Sequence, residues 1–261
     1  MNTSLEGRMA LVTGASGGLG VAFARELARG GCHLVLVARS DAPMQQLASE
    51  LRSLGVVVHV RPTDLADATA RQTLAASLAA EGVAVDVLVN NAGFGVFGAF
   101  ATTDWSRLEA MLALDVVALS HLTRLFLPAM RERGFGRVLQ VASTAAFQPT
   151  PGYAAYAAAK SYVLAFSHAL DVELRGSGVR CTVVSPGVTD TGFFEVSGQR
   201  ATWYQQWTRM QAPAVARRGV EAMLAGRSGT VTGWANALLA HSTRLLPRRL
   251  SARVAGWLMR N

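Results

Sequence analysis

At 261 residues, 51% hydrophobic and 16% charged, the chain is long and apolar enough to bury a large core, which excludes a disordered protein. It has no run approaching the roughly 18 continuous apolar residues of a membrane span, and its first eight residues lack a signal-peptide core, so a cytoplasmic location is expected. The net charge of +8 is uneven: no acidic residue follows Glu221 while six Arg do (Arg227, Arg244, Arg248, Arg249, Arg253, Arg260), leaving +2 for the rest, which argues against a nucleic-acid binder.

In chain order, Arg8 to Thr13 is a short strand signal that runs into Gly14, Ala15, Ser16, Gly17, Gly18, Leu19 and Gly20. A helical pattern of Val21, Phe23, Ala24 and Leu27 follows at once. Strand, glycine turn and helix in this order form a phosphate cradle, because glycines let backbone approach a pyrophosphate and the helix N-terminus offers free amides. Two spacings fit, Gly14-Gly18-Gly20 and Gly14-Gly17-Gly20, and a merely tight turn reads the same way. His33 to Ala38 is nearly unbroken apolar sequence, as in a parallel strand buried on both faces. It ends at Arg39 and Ser40, where an acidic residue would bind ribose hydroxyls. An Arg there instead suits a 2′-phosphate, which it can meet with two parallel hydrogen bonds, so NADP(H) is the expected cofactor.

A helix is expected at 43–54, a strand at 56–60, a loop from Asp64 and Leu65, a helix at 67–81 and a strand at 85–89 leading to Asn90, Asn91, Ala92 and Gly93. This alternation specifies an α/β fold, a doubly wound parallel sheet of Rossmann type in three α/β/α layers, with its ligand outside the carboxyl ends of the strands. Cys32 and Cys181 lie in apolar runs and read as core thiols. The five His are scattered without ligand spacing, so no metal is expected.

Carbonyl chemistry is suggested between Ser143 and Lys160. Tyr156 and Lys160 are four residues apart, which puts both on one face of a helix. A phenol has an unperturbed pKa of about 10, and a fixed ammonium nearby lowers it toward useful proton exchange. Ser143, just past the apolar run at 138–142, can hold a substrate oxygen. Of the 25 basic residues Lys160 is the one lysine, and Arg cannot replace a compact ammonium at a crowded site. Taken alone, Tyr-x-x-x-Lys is better read as an ordinary exposed helix pair, and the rest of the chain has to overturn that.

Together these features resemble the short-chain dehydrogenase/reductase family in its compact branch: Thr13 to Gly20, Asn90 to Gly93, Ser143, Tyr156 with Lys160, and Pro186 to Thr191, in the family's order. The resemblance implies Tyr156 as general acid/base, Lys160 lowering its pKa and holding the nicotinamide ribose, and Ser143 orienting the carbonyl. It implies cofactor contacts from Gly14, Ser16, Gly18, Leu19, Gly20, Arg39, Ser40, Asp64, Leu65, Asn91, Ala92, Gly93, Tyr156, Lys160, Pro186, Gly187, Val188, Thr189 and Thr191. A homodimer or homotetramer is the usual family assembly. One departure stands out: in the helix expected at 106–126, the family's relay Asn is replaced by Asp115, which is carried as a catalytic candidate whose carboxylate would raise the tyrosine pKa if buried.

After Thr191 the segment at about 190–212 is where the family has a substrate lid, and Phe193, Phe194, Trp203, Tyr204 and Trp207 suit a bulky apolar substrate. Phe94, Phe97 and Phe147 are further pocket candidates. At about 244–260 a basic amphipathic helix is expected, starting near Pro247, with Leu246, Leu250, Val254 and Trp257 or Leu258 on one face. Docking of that face on the domain or a partner subunit is preferred over an anionic membrane. The reading is one domain over 1–261, an NADP(H)-dependent oxidoreductase acting on a small-molecule ketone or secondary alcohol, with a catalytically weak dinucleotide-binding regulator or membrane-surface protein as the alternative.

Overall fold

The computed structural model describes residues 5–199 and 202–259, and its strands follow the apolar runs. They are β1 (Met9–Thr13), β2 (His33–Ala38), β3 (Val58–Pro62), β4 (Val87–Asn90), β5 (Gly136–Val141), β6 (Val179–Ser185), β7 (Thr189–Asp190), β8 (Met210–Gln211) and β9 (Gly229–Val231). The helices are α1 (Gly18–Arg29), α2 (Asp41–Arg52), α3 (Ala68–Ala80), α4 (Trp105–Leu112), α5 (Leu119–Glu132), α6 (Ala154–Glu173), α7 (Phe193–Ser197), α8 (Trp203–Trp207), α9 (Ala212–Leu224), α10 (Trp234–Ser242) and α11 (Arg248–Leu258). Seven strands form one parallel sheet in the order β3-β2-β1-β4-β5-β6-β9, while β7 and β8 pair separately.

Side-chain alternation along the strands produces the three layers. Ala10 and Val12 of β1, Leu34 and Leu36 of β2, and Val87 and Val89 of β4 pack with Phe23, Leu27, Leu51 and Met223 from α1, α2 and α9. Leu11, Val35, Val37 and Leu88 enter the opposite cluster, with Leu78, Leu122, Met130 and Leu170 from α3, α5 and α6. The strand order reverses direction between β1 and β4, and the crevice outside their carboxyl ends is where such sheets bind ligands.

β4 begins two residues after the expected start at 85 and α2 two before the expected 43, and two further departures have a visible cause. β3 starts two residues late because pairing begins at Leu34↔Val58, leaving Val57 51% exposed at the sheet edge. The helix expected at 106–126 is three pieces: α4, a π-helical turn at Ala113–Ala118, and α5. The whole stretch Trp105–Glu132 is long and apolar enough to cross a membrane by length and composition. Here its buried residues, Leu108, Met111, Asp115, Leu122 and Met130 among them, form the face turned to the core.

Candidate active site

The phosphate cradle is built by backbone packing. Gly14 leaves β1 with φ +68, and a Cβ at Gly20 would lie 2.0 Å from the Gly14 carbonyl oxygen, so the turn and the first turn of α1 can meet only without side chains. α1 has no side-chain cap at its N-terminus, which leaves its first amides facing the crevice. Gly20 itself does not line the crevice; it packs against the Gly14 backbone behind it. Thr13 ties the two central strands together: its hydroxyl lies 3.1 Å from the Val89 carbonyl and accepts from Asn91 N and Ala92 N at 2.9 Å each. Asn91 Nδ2 donates back to the Thr13 carbonyl at 2.8 Å.

Next to this cradle, Arg39 and Ser40 are exposed at the end of β2. The Asp64–Ala66 loop opposite them is held from below by Arg71, a buried α3 residue that the sequence reading overlooked. Its Nη1 donates to the Leu65 and Ala66 carbonyls and its Nε to His121 Nδ1 at 2.9 Å. A buried arginine on an otherwise apolar helix face was the available signal.

At the other end, Ser143 follows β5 and caps a 3₁₀ turn, with Oγ accepting from Ala145 N at 3.1 Å. It lines the same cleft as Tyr156. Tyr156 and Lys160 leave α6 one turn apart and both are buried. Lys160 Nζ donates to the Val141 carbonyl at 3.2 Å and lies 5.7 Å from the Tyr156 ring centroid. Asp115, 0% exposed on the π-helical turn, brings Oδ2 to 3.0 Å from Lys160 Nζ. That contact is an ion pair in which Oδ2 makes no directional hydrogen bond, while Oδ1 accepts from Phe94 N at 3.0 Å. Gly93 makes room for it, since a Cβ there would sit 2.7 Å from Asp115 Oδ1.

The electrostatics correct the expectation of a lowered tyrosine pKa. Burial pushes Tyr156 well above the ordinary phenol value and the Asp115 carboxylate pushes further, against a smaller opposing effect of the Ser143 hydroxyl. Asp115 is itself raised by burial, with Lys160 opposing. The ammonium meant to favour phenolate thus faces a carboxylate. Asp115 does not itself line the crevice and meets the site through its contact with Lys160.

The remaining expected cofactor residues, from Gly14, Ser16, Gly18 and Leu19 through Arg39, Ser40, Asp64, Leu65, Asn91, Ala92 and Gly93 to Pro186, Gly187, Val188, Thr189 and Thr191, line one cleft with Ser143, Tyr156 and Lys160. Its volume is about 1030 Å³. β7 and β8 clasp the base of the 191–209 segment, joined also by an Arg209–Asp190 ion pair. Phe193 packs 5.5 Å from the Tyr156 ring, and Phe94, Phe193 and Phe194 are lining residues. Four other aromatic candidates are not: Trp203 and Trp207 face solvent, Phe97 packs on Tyr153 and Phe147 on His241. The Tyr204 side chain, Arg200, Ala201 and Arg260 lie outside the described residues. Tyr153, overlooked in the sequence, places its hydroxyl 3.0 Å from Ser197 Oγ and 2.9 Å from Gln199 Oε1, so α6 holds the segment over the cleft. The far wall comes from α10, α11 and the connection between them through Leu239, Leu246, Val254 and Leu258, for which no local motif exists.

A family model described as short chain dehydrogenase matches residues 8–201. A ketoacyl reductase, HetN, of Nostoc sp. is 35% identical over 191 residues, 73% of this chain and 67% of that protein. A solved short-chain dehydrogenase from Sphingobium yanoikuyae in complex with NADPH is 27% identical with a TM-score of 0.81, covering 91% of this chain and 94% of that one. One from Burkholderia phymatum in complex with NAD is 26% identical with a TM-score of 0.82, covering 91% and 93%.

Proposed function

Because the chain belongs to the short-chain dehydrogenase/reductase family, we propose that this oxidoreductase interconverts a ketone and a secondary alcohol, uses NADP(H) in preference to NAD(H), and takes a bulky apolar substrate. The observation that carries the reading is Ser143 beside the buried Tyr156 and Lys160 on the wall of the cleft whose other end holds the uncapped N-terminus of α1 and Arg39. Those free amides fit a pyrophosphate. The solved relatives divide between NADPH and NAD, so the preference for NADP(H) rests on Arg39, which lines the cleft with no ion-pair partner among the described residues.

A bound nicotinamide dinucleotide supplies or accepts the hydride. The chain's own residues handle the proton. With its pKa raised, Tyr156 stays protonated over the ordinary pH range and serves as the acid that delivers a proton to the substrate oxygen. Ser143 Oγ accepts from Ala145 N, so its own hydrogen is available to that same oxygen. Lys160, fixed by Val141 and Asp115, holds its Nζ 5.7 Å from the centre of the tyrosine ring. Phe94, Phe193 and the α10–α11 wall provide the apolar surface for the substrate, under the 191–209 segment as lid.

The test is NADPH oxidation at 340 nm with ketones running from small aliphatic to bulky and steroid-like, repeated with NADH. Tyr156→Phe should lower turnover by about 10²–10⁴-fold, the usual worth of a positioned acid, with cofactor binding by fluorescence nearly unchanged. Arg39→Asp should weaken NADPH far more than NADH. Retained turnover in Tyr156→Phe would refute its acid/base role, and tight cofactor binding with no turnover of any ketone or alcohol would favour a regulator.

A further inference from the structure

The family match ends at residue 201, and the helices beyond it carry a surface that the proposed chemistry leaves unused. α8, α10 and α11 adjoin one another: Gln205 Nε2 lies 3.6 Å from Met259 Sδ, and Asn236 Nδ2 donates to the Thr208 carbonyl at 3.4 Å. α11 docks through Ser251 and Ala255, 4% and 1% exposed. Its expected core face is divided: Val254 and Leu258 line the cleft, while Leu250, Val254 and Trp257, at i, i+4 and i+7, form an exposed stripe. Trp234 and Leu238 on α10 are exposed too, at 76% and 65%. Among the described residues, ten of the eighteen exposed large apolar side chains fall between Trp203 and Trp257. Scattered exposed apolar residues are ordinary, but such a concentration marks a contact surface.

The charge selects the partner. No acidic residue lies beyond Glu221, while Arg248, Arg249 and Arg253 are exposed, the last two one turn apart beside the stripe. Two copies meeting through this face would bring like charges together. A bilayer with anionic headgroups satisfies both features, since Trp and Leu enter the interface while Arg side chains reach the headgroups. The cleft opens into the same face, because Leu239, Leu246 and Val254 are exposed and also line it.

We propose that α10 and α11 dock on an anionic lipid bilayer, and that the cleft takes a lipophilic carbonyl substrate from it. The second half rests on the ketone–alcohol reading above; the docking does not.

The experiment sediments the full-length protein with vesicles of phosphatidylcholine, with and without phosphatidylglycerol. The protein pellets with the anionic vesicles, stays in solution with the neutral ones and is released by salt. Two variants outside the cleft lining, Leu250→Ser/Trp257→Ser and Arg248→Glu/Arg249→Glu/Arg253→Glu, lose pelleting while keeping the wild-type melting temperature and cofactor binding. For the charge reversal the loss in apparent affinity is at least about a hundredfold. The docking is overturned if the wild type stays in solution with anionic vesicles, or if neither variant weakens pelleting. It is equally overturned if sedimentation velocity shows a self-association that both variants dissolve without any vesicle binding, which would make the face a subunit interface. Turnover of a long-chain ketone dissolved in the bilayer rises with anionic vesicles for wild type and not for the variants, while a water-soluble ketone is reduced equally by all three. Vesicle binding with no ketone turned over would sink the reductase reading and the delivery, and would leave the docking standing.

Discussion

The floor and the rim of the cleft use charge and apolar surface in opposite ways. At the floor Asp115 and Lys160 are buried and answer each other, and Phe94 N and the Val141 carbonyl take up further bonding. At the rim, Leu250 and Trp257 are exposed and Arg248, Arg249 and Arg253 face water without any acidic residue nearby in sequence. The comparison teaches that burial fixes what a charge can do. A buried carboxylate paired with an ammonium raises its neighbour's proton affinity, whereas exposed guanidinium groups stay available to a partner.

The sharpest way to break this contrast is to orphan one floor charge. Lys160→Ala leaves Asp115 buried without its cation, which should cost about 3–5 kcal/mol of stability by urea denaturation; Asp115→Asn/Lys160→Met should recover most of it. A loss under about 1 kcal/mol for Lys160→Ala would mean that Asp115 takes up a proton or water instead. A smaller effect belongs to Asp115→Asn alone. The Tyr156 pKa is raised first by burial and next by the Asp115 carboxylate, so removing the carboxylate lowers it. The pH at which alcohol oxidation switches on, which needs the deprotonated tyrosine, should move down, and ketone reduction should begin to fail at a lower pH than in wild type. Profiles that superpose would show that Asp115 only holds Lys160 in place. The smallest effect is expected at the rim: Leu250→Ser/Trp257→Ser should change stability by no more than about 0.5 kcal/mol per site, and a core-sized loss there would show that the stripe is packed in solution.

Most of the fold was legible because parallel strands buried on both faces announce themselves as unbroken apolar runs, as His33 to Ala38 does, and because the glycine turn, Asn91 and Ser143 each follow such a run. Their common position at the strand ends brought them to one cleft. The aromatic candidates were less legible. Trp203 and Phe193 carry similar local signals, yet Phe193 meets Tyr156 while Trp203 faces solvent, a difference set by how the 191–209 segment is clasped and by nothing in its composition.

The sequence by itself determined which chemical groups are present and in what order, from the phosphate cradle and Arg39 to the single lysine one turn from Tyr156. Only the tertiary structure decided how two ambiguous features resolve. Asp115 could have faced solvent, but the π-helical turn at Ala113–Ala118 and the bare Cα of Gly93 bring it against Lys160, a contact between distant segments that no local pattern encodes. α11 could have docked by its bulky stripe. It docks instead by Ser251, Ala255 and Gly256, where a Cβ on the glycine would already lie 3.2 Å from Pro151 Cγ. Small side chains let two segments approach closely, and that close packing turned the larger apolar residues outward.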